Sequence, residues 1–283
     1  SYPQGELARR TIGQVGDKGN YGVEYVLRDV LEGRDGKARR QRIARGFYGR
    51  VVGGDNSEPE DGLDVVTTLD LEMQDVADRA LRRQLEAQNA LWGTALVMEV
   101  ATGDLLAMAN LSRTKSGAYA EVKNHALSSR MEPGSTFKLA ALLALVDDAG
   151  MSLDETFDTG NGARVKVGRT TVQDSHGLPP LNLKDAVAHS SNVFFARAVY
   201  ETYKDDPERY VDYLRHLHLD RTVGLEEFGA VAPIFPAPGM KIWYPDVSIV
   251  NMGYGYAIEL TPLHTLTLYN AVANDGCMVA PRL

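Results

Sequence analysis

Two short patterns in this chain carry residue types that can do acyl-transfer chemistry. The first is Pro133-Gly134-Ser135-Thr136-Phe137-Lys138, which runs into the apolar stretch Leu139–Val146. A serine and a lysine three apart on a helix face the same way, so the ammonium can reach the hydroxyl. A lysine that burial strips of solvent can release its own proton and take that of the serine. The start of a helix also offers free N–H groups, which favour negative charge on the serine oxygen. The same letters fit a blander arrangement, a serine at a helix start with a snorkelling lysine. A Ser-x-x-Lys pattern arises about once by chance in a chain of this size at average composition. Indeed a second copy, Ser112-Arg113-Thr114-Lys115, occurs here. No glycine precedes that serine and no apolar helix follows it, so it reads as a polar loop.

The second pattern is Ser190-Ser191-Asn192, 55 residues after Ser135 and the single Ser-x-Asn of the chain. It joins two apolar-patterned stretches, Leu183–Ala188 and Val193–Tyr200. A serine and an amide at such a junction could be a helix cap. Together with Ser135 and Lys138, Ser190 could relay a proton and Asn192 could hold both Lys138 and a substrate amide. Ser-x-x-Lys, Ser-Asp-Asn and Lys-Thr-Gly form the signature set of class A β-lactamases and penicillin-binding proteins; here the second motif is Ser-Ser-Asn.

With these residues in view, the chain resembles the class B, monofunctional penicillin-binding proteins, and most of all the division-type peptidoglycan D,D-transpeptidases. The resemblance is carried by Met131–Lys138, by Leu183–Asn192, by Asn251-Met252-Gly253-Tyr254-Gly255-Tyr256 and by Leu260-Thr261-Pro262-Leu263. Upstream, Gly22-Val23-Glu24, Leu31-Glu32-Gly33 and Gly36 are similar to the pedestal of that class, and Val66-Thr67-Thr68-Leu69-Asp70 to the entry of its transpeptidase domain. The family's third triplet, Lys-Thr/Ser-Gly, does not occur after the Ser-x-Asn; Lys115-Ser116-Gly117 precedes Ser135 and is a coincidence of letters.

The resemblance implies an α+β fold of the penicillin-binding/serine-β-lactamase type, with a central antiparallel sheet and helices. It implies a pedestal or linker domain over 1–62 and a transpeptidase domain over 63–283, in a native protein that continues past Leu283 and carries a membrane anchor before residue 1. It implies Ser135, Lys138, Ser190 and Asn192 as catalytic residues, no metal or cofactor, and a site on the extracytoplasmic side of the cell membrane. The implied partners are stem peptides ending in D-Ala-D-Ala, β-lactams, a membrane glycosyltransferase and other divisome proteins. Gly253-Tyr254-Gly255 is expected near the cleft, its glycines allowing tight backbone packing. Two other readings stand beside this one: a D,D-carboxypeptidase or β-lactamase, and a non-enzymatic β-lactam sensor or divisome scaffold.

The elements that must position these residues are legible in outline. Asp70 caps a helix with an apolar stripe of Met73, Val76, Ala77, Ala80, Leu81 and Leu85. Thr94–Val100 and Asp104–Ala109 form a hairpin around Thr102-Gly103. The nucleophile helix ends at Gly150. Thr261 caps a helix with Pro262 at its first position, running to about Asn274. Asp147-Asp148 and Asp205-Asp206 read as helix-end and cap charges, His189 as a surface position, and Ser152–Glu155 as a capped turn.

Composition sets the frame. The 283 residues are 44% hydrophobic and 24% charged with net charge −8, which disfavours a nucleic-acid binder. Arg28–Arg50 is basic (Arg34, Lys37, Arg39, Arg40, Arg42, Arg45, Arg50) and reads as a solvated hairpin, before an acidic stretch over 55–64 and the turn residues Gly53–Ser57. Cys277 stands alone, and no run reaches the ~18 apolar residues of a membrane span.

Overall fold

The computed structural model describes residues 5–17, 19–37, 40–45, 47–50 and 57–283. Arg39 of the basic stretch and Gly53–Asn56 lie outside the described residues. Short helices α1 (Arg9–Ile12), α2 (Gly22–Val26) and α3 (Arg28–Leu31) open the chain. The expected hairpin follows as β1 (Arg40–Ala44) and β2 (Phe47–Arg50).

Helix α4 (Leu71–Gln88) starts where expected, with Asp70 accepting from the Met73 N–H at 2.8 Å. It packs on an antiparallel sheet of order β3 (Trp92–Met98), β4 (Leu105–Arg113), β5 (Tyr119–Ala120). The stripe is rotated from expectation. Ala77, Leu81 and Leu85 do face Ala107, Ala109 and Leu111, but Met73, Val76 and Ala80 are exposed, and Gln74 and Asp78 are buried in their place.

The reason is the edge of β4. One edge of β4 pairs with β3 from Leu105 to Ser112, while its other edge meets β5 only at Ser112 and Arg113. Unpaired backbone groups along a buried strand must find partners. The Asp70 N–H donates to Leu106 O at 2.9 Å. Gln74 Oε1 accepts from the Met108 N–H at 2.7 Å, and Glu121 Oε1 from the Asn110 N–H at 3.2 Å. Ser112 and Arg113 prove to be strand rather than loop; Ser112 Oγ bonds His125 Nε2 at 2.7 Å, and the turn comes at Thr114–Gly117.

The opposite face of the sheet meets α5 (His125–Ser128) and the last helix through Leu105, Met108, Leu127 and Leu263. A register shift between Val97 and Met98 puts Leu105 on the same face as Met108. The chain then turns at Gly134–Phe137 (3-10) into α6 (Lys138–Leu143), which widens to a π-turn over Ala144–Asp148 before Gly150.

Small strands follow: β6 (Thr156–Phe157) pairs with β9 (Leu181–Asn182), and β7 (Val165–Val167) with β8 (Thr170–Val172). Next come α7 (Leu183–Ala188), α8 (Asn192–Tyr203), α9 (Pro207–His216), α10 (Ser248–Met252) and α11 (Pro262–Ala273). The largest core joins these helices to α6. Phe137, Phe194, Phe195, Tyr203 and Tyr210 fill it, and the fully buried Ala140, Ala141 and Ala144 let α6 approach closely. Among the described residues no helix is long and apolar enough to cross a membrane.

Candidate active site

The Ser-x-x-Lys and Ser-x-Asn patterns meet at one point. Lys138 Nζ lies 3.1 Å from Ser135 Oγ, 3.1 Å from Ser190 Oγ, 2.6 Å from Ser190 O and 2.7 Å from Asn192 Oδ1. Ser135 sits on the 3-10 turn and Lys138 is the first residue of α6, so the i, i+3 spacing stacks them. Lys138 is buried, at 5% exposure, while Ser135 and Ser190 are exposed. The amine is therefore inside and the hydroxyls face solvent.

Burial pulls the Lys138 ammonium down to about 8, against the raising effect of the Asp174 carboxylate. About a tenth of the amine is then neutral at pH 7 and about half at pH 8. An ammonium has three N–H donors, yet four acceptors surround Nζ. A neutral amine donates twice, which suits Ser190 O and Asn192 Oδ1, the two shortest contacts. Its lone pair remains for the hydroxyl of Ser135 or Ser190. The arrangement can thus move a proton between two serines through one lysine.

Four braces hold the turn that carries Ser135. Gly134 N–H donates to Gly255 O at 2.9 Å, and Met131 exchanges backbone bonds with Leu260, both at 2.9 Å. Glu132 Oε1 accepts from the Ala257 N–H at 2.9 Å. Tyr269 of α11 donates to Thr136 O at 3.0 Å. A Cβ on Gly255 would stand 1.8 Å from Gly134 O, and its φ is +92°. The Asn251–Pro262 stretch therefore belongs to the scaffold of this site, and its glycine is needed for close approach as expected.

The middle serine of the second pattern does the capping. Ser191 Oγ accepts from the Phe194 N–H at 3.0 Å, opening α8, while Ser190 and Asn192 turn toward Lys138. His189 is an exposed position at the end of α7. Asp206 caps α9, and Ser152 forms the turn before Glu155. Sequence reasoning missed Asp174, a buried carboxylate between β8 and α7 that accepts from Ser191 Oγ and from two N–H groups of α8. Only the single letter Asp, in a loop of Gln173-Asp174-Ser175-His176, marks it.

Comparison with known proteins agrees with this geometry. Residues 93–283 match the model of the penicillin binding protein transpeptidase domain. The chain belongs to that family. It is 30% identical over 299 residues to penicillin-binding protein PbpB of Mycobacterium tuberculosis, covering 100% of this chain and 42% of that protein. It is 27% identical over 289 residues to the probable peptidoglycan D,D-transpeptidase PenA of Neisseria meningitidis, covering 98% and 48%. A crystal structure of penicillin-binding protein 3 from M. tuberculosis, complexed with aztreonam, superposes with TM-score 0.80 at 27% identity, over 99% of this chain and 59% of that one. The expectation of a class B, division-type penicillin-binding protein with the α+β transpeptidase fold is met. The chain spans about half the length of the curated relatives it matches.

Proposed function

We propose that the protein is a peptidoglycan D,D-transpeptidase acting through an acyl-enzyme on Ser135. The observation that carries this reading is the buried Lys138 amine within hydrogen-bond reach of Ser135, Ser190 and Asn192. A relative named as a D,D-transpeptidase and an aztreonam complex of a structural neighbour support it.

The substrate is a stem peptide ending in D-Ala-D-Ala. Ser135 Oγ attacks the carbonyl carbon of the penultimate D-alanine, and its proton passes to the neutral Lys138 amine. The Ser135 N–H, near the start of the helical turn, stabilises the resulting oxyanion. When the C–N bond breaks, the proton on Lys138 moves through Ser190 Oγ to the departing D-alanine amine. Asn192 keeps Nζ in place and orients the substrate amide. The amine of a second stem peptide then attacks the ester and gives up a proton. Ser135 regains its own as the cross-link forms. A β-lactam follows the first half of this course and leaves Ser135 acylated.

Within this reading, residues 1–62 form a pedestal and 63–283 the transpeptidase domain. The substrate places the site on the extracytoplasmic face of the membrane, in septal wall synthesis with a glycosyltransferase and other division proteins.

The test is labelling with a fluorescent penicillin and mapping the adduct by peptide mass. Label on Ser135, absent from Ser135→Ala, is expected. Label retained in that variant, or found on Ser112, would remove the assignment.

A further inference from the structure

Ser190 is held in a conformation that needs outside support. Its φ is +52°, in the left-handed region, although it is not a glycine. Such a residue persists only where its surroundings hold it. Here the strain is coupled to the site, because Ser190 directs both its carbonyl and its hydroxyl at Lys138 Nζ. Something must fix the chain directly after it.

Asp174 does so. The residue is 6% exposed and lies just after β8. Its Oδ2 accepts from Ser191 Oγ at 2.8 Å, and its Oδ1 accepts from the N–H groups of Asn192 at 2.5 Å and Val193 at 3.2 Å. These are the residues that follow Ser190, and the two N–H groups belong to the first residues of α8, which lack helical acceptors. The carboxylate also sits at the positive end of that helix. Ser135, Ser190 and Asn192 face Lys138 as neutral dipoles, and the Phe195 ring lies 6.0 Å from Nζ. Asp174 is the charged group whose field is felt at the lysine.

We propose that Asp174 is a positioning residue of the reaction: its buried carboxylate locks the Ser190–Asn192 turn onto Lys138 and supplies the negative charge that balances the ammonium. This rests on the function proposed above. The carboxylate touches neither nucleophile nor substrate. It acts through the turn, by three hydrogen bonds, and through space, by its charge. The first action sets how well Lys138, Ser190 and Asn192 are aligned. The second sets how readily Lys138 keeps its proton.

The two actions separate in variants of the intact protein. Asp174→Asn keeps the shape, loses the charge and cannot accept at both atoms. Its plateau rate of acylation by penicillin is expected to fall about tenfold or more, as for loss of charge-assisted bonds. The acid limb of its rate profile is expected to move to lower pH, because Lys138 no longer has a carboxylate holding its proton. Ser191→Ala removes the bond to Asp174 together with the cap on the Phe194 N–H and keeps the charge, so its plateau falls while its acid limb stays. An unmoved limb or an unchanged plateau in Asp174→Asn would overturn the proposal. Should Asp174→Asn not fold, Ser191→Ala decides, and an unchanged plateau there overturns it. Titration of Lys138 Nζ by NMR needs no acylation. If the wild type fails to acylate, the proposed function falls, while a lower midpoint in Asp174→Asn still supports, and an equal midpoint still refutes, the role of Asp174.

Discussion

At the scale of single residues, the site turns on whether Lys138 is neutral. Burial lowers its affinity for a proton to about 8, with Asp174 pulling the other way. Only the neutral amine can accept from Ser135, so acylation should rise about tenfold per pH unit below 8 and level off above it. Penicillin acylation rates measured by stopped flow between about pH 6 and pH 9 would show this. Lys138→Arg keeps the charge and cannot release its proton. It should lose nearly all acylation at every pH with little change in melting temperature. A rate in that variant comparable to wild type would mean that another group is the base. Ser135 and Lys138 could be read from sequence because their spacing repeats helix geometry, and Ser190 and Asn192 because their pattern completes a motif set with that pair. Asp174 could not. A carboxylate that accepts backbone N–H groups from a loop obeys no period, and its partners lie 17 to 19 positions away.

Elements place those residues through contacts that glycine alone permits. Gly255 lies against Gly134, the residue before Ser135, and a methyl group there would overlap its carbonyl oxygen. Gly255→Ala must therefore shift the turn that carries Ser135 as well as adopt a strained φ, at a cost of about 1–3 kcal/mol or more. Gly229 is the natural control. Its φ is nearly the same, +93°, but nothing lies within 4 Å of the added Cβ. Gly229→Ala should cost about 1 kcal/mol and leave acylation unchanged. Gly255→Ala should lower both melting temperature and acylation, and equal behaviour of the two variants would refute the role given to this contact. Element type followed the sequence at α4, at the β3–β4 hairpin and at α11, and the start of α4 and both ends of α11 did so closely, where caps mark them, while β4 runs four residues beyond the expected Ala109. The buried face of α4 did not. Counting apolar letters favours Met73, Val76 and Ala80, whereas the strand beside the helix needs an acceptor for the Met108 N–H, and Gln74 meets that need.

Across the whole molecule, the same strand edge joins distant parts of the chain. Glu121 accepts from the Asn110 N–H in β4 through one oxygen and from the Arg10 N–H through the other, at 2.7 Å. One side chain thus ties the first helix to the sheet of the transpeptidase fold. Nothing local in the sequence announces such a link, since its partners are 11 and 111 residues away. Burial raises the Glu121 carboxyl from its ordinary value of 4.5 to about 7, and the two N–H donors offset only part of that. The folded chain therefore holds a proton that the unfolded chain gives up as pH rises from 4.5. The stability this group contributes is complete below pH 4.5 and is lost as pH climbs through 7. The change over that window is on the order of 3 kcal/mol. Glu121→Gln has no proton to exchange. Denaturant midpoints of both proteins at about pH 5 and about pH 8 cancel the contribution of all other carboxyls. The wild type should lose stability relative to Glu121→Gln as pH rises, and parallel behaviour of the two would show that the buried carboxylate is fully satisfied by its two N–H donors.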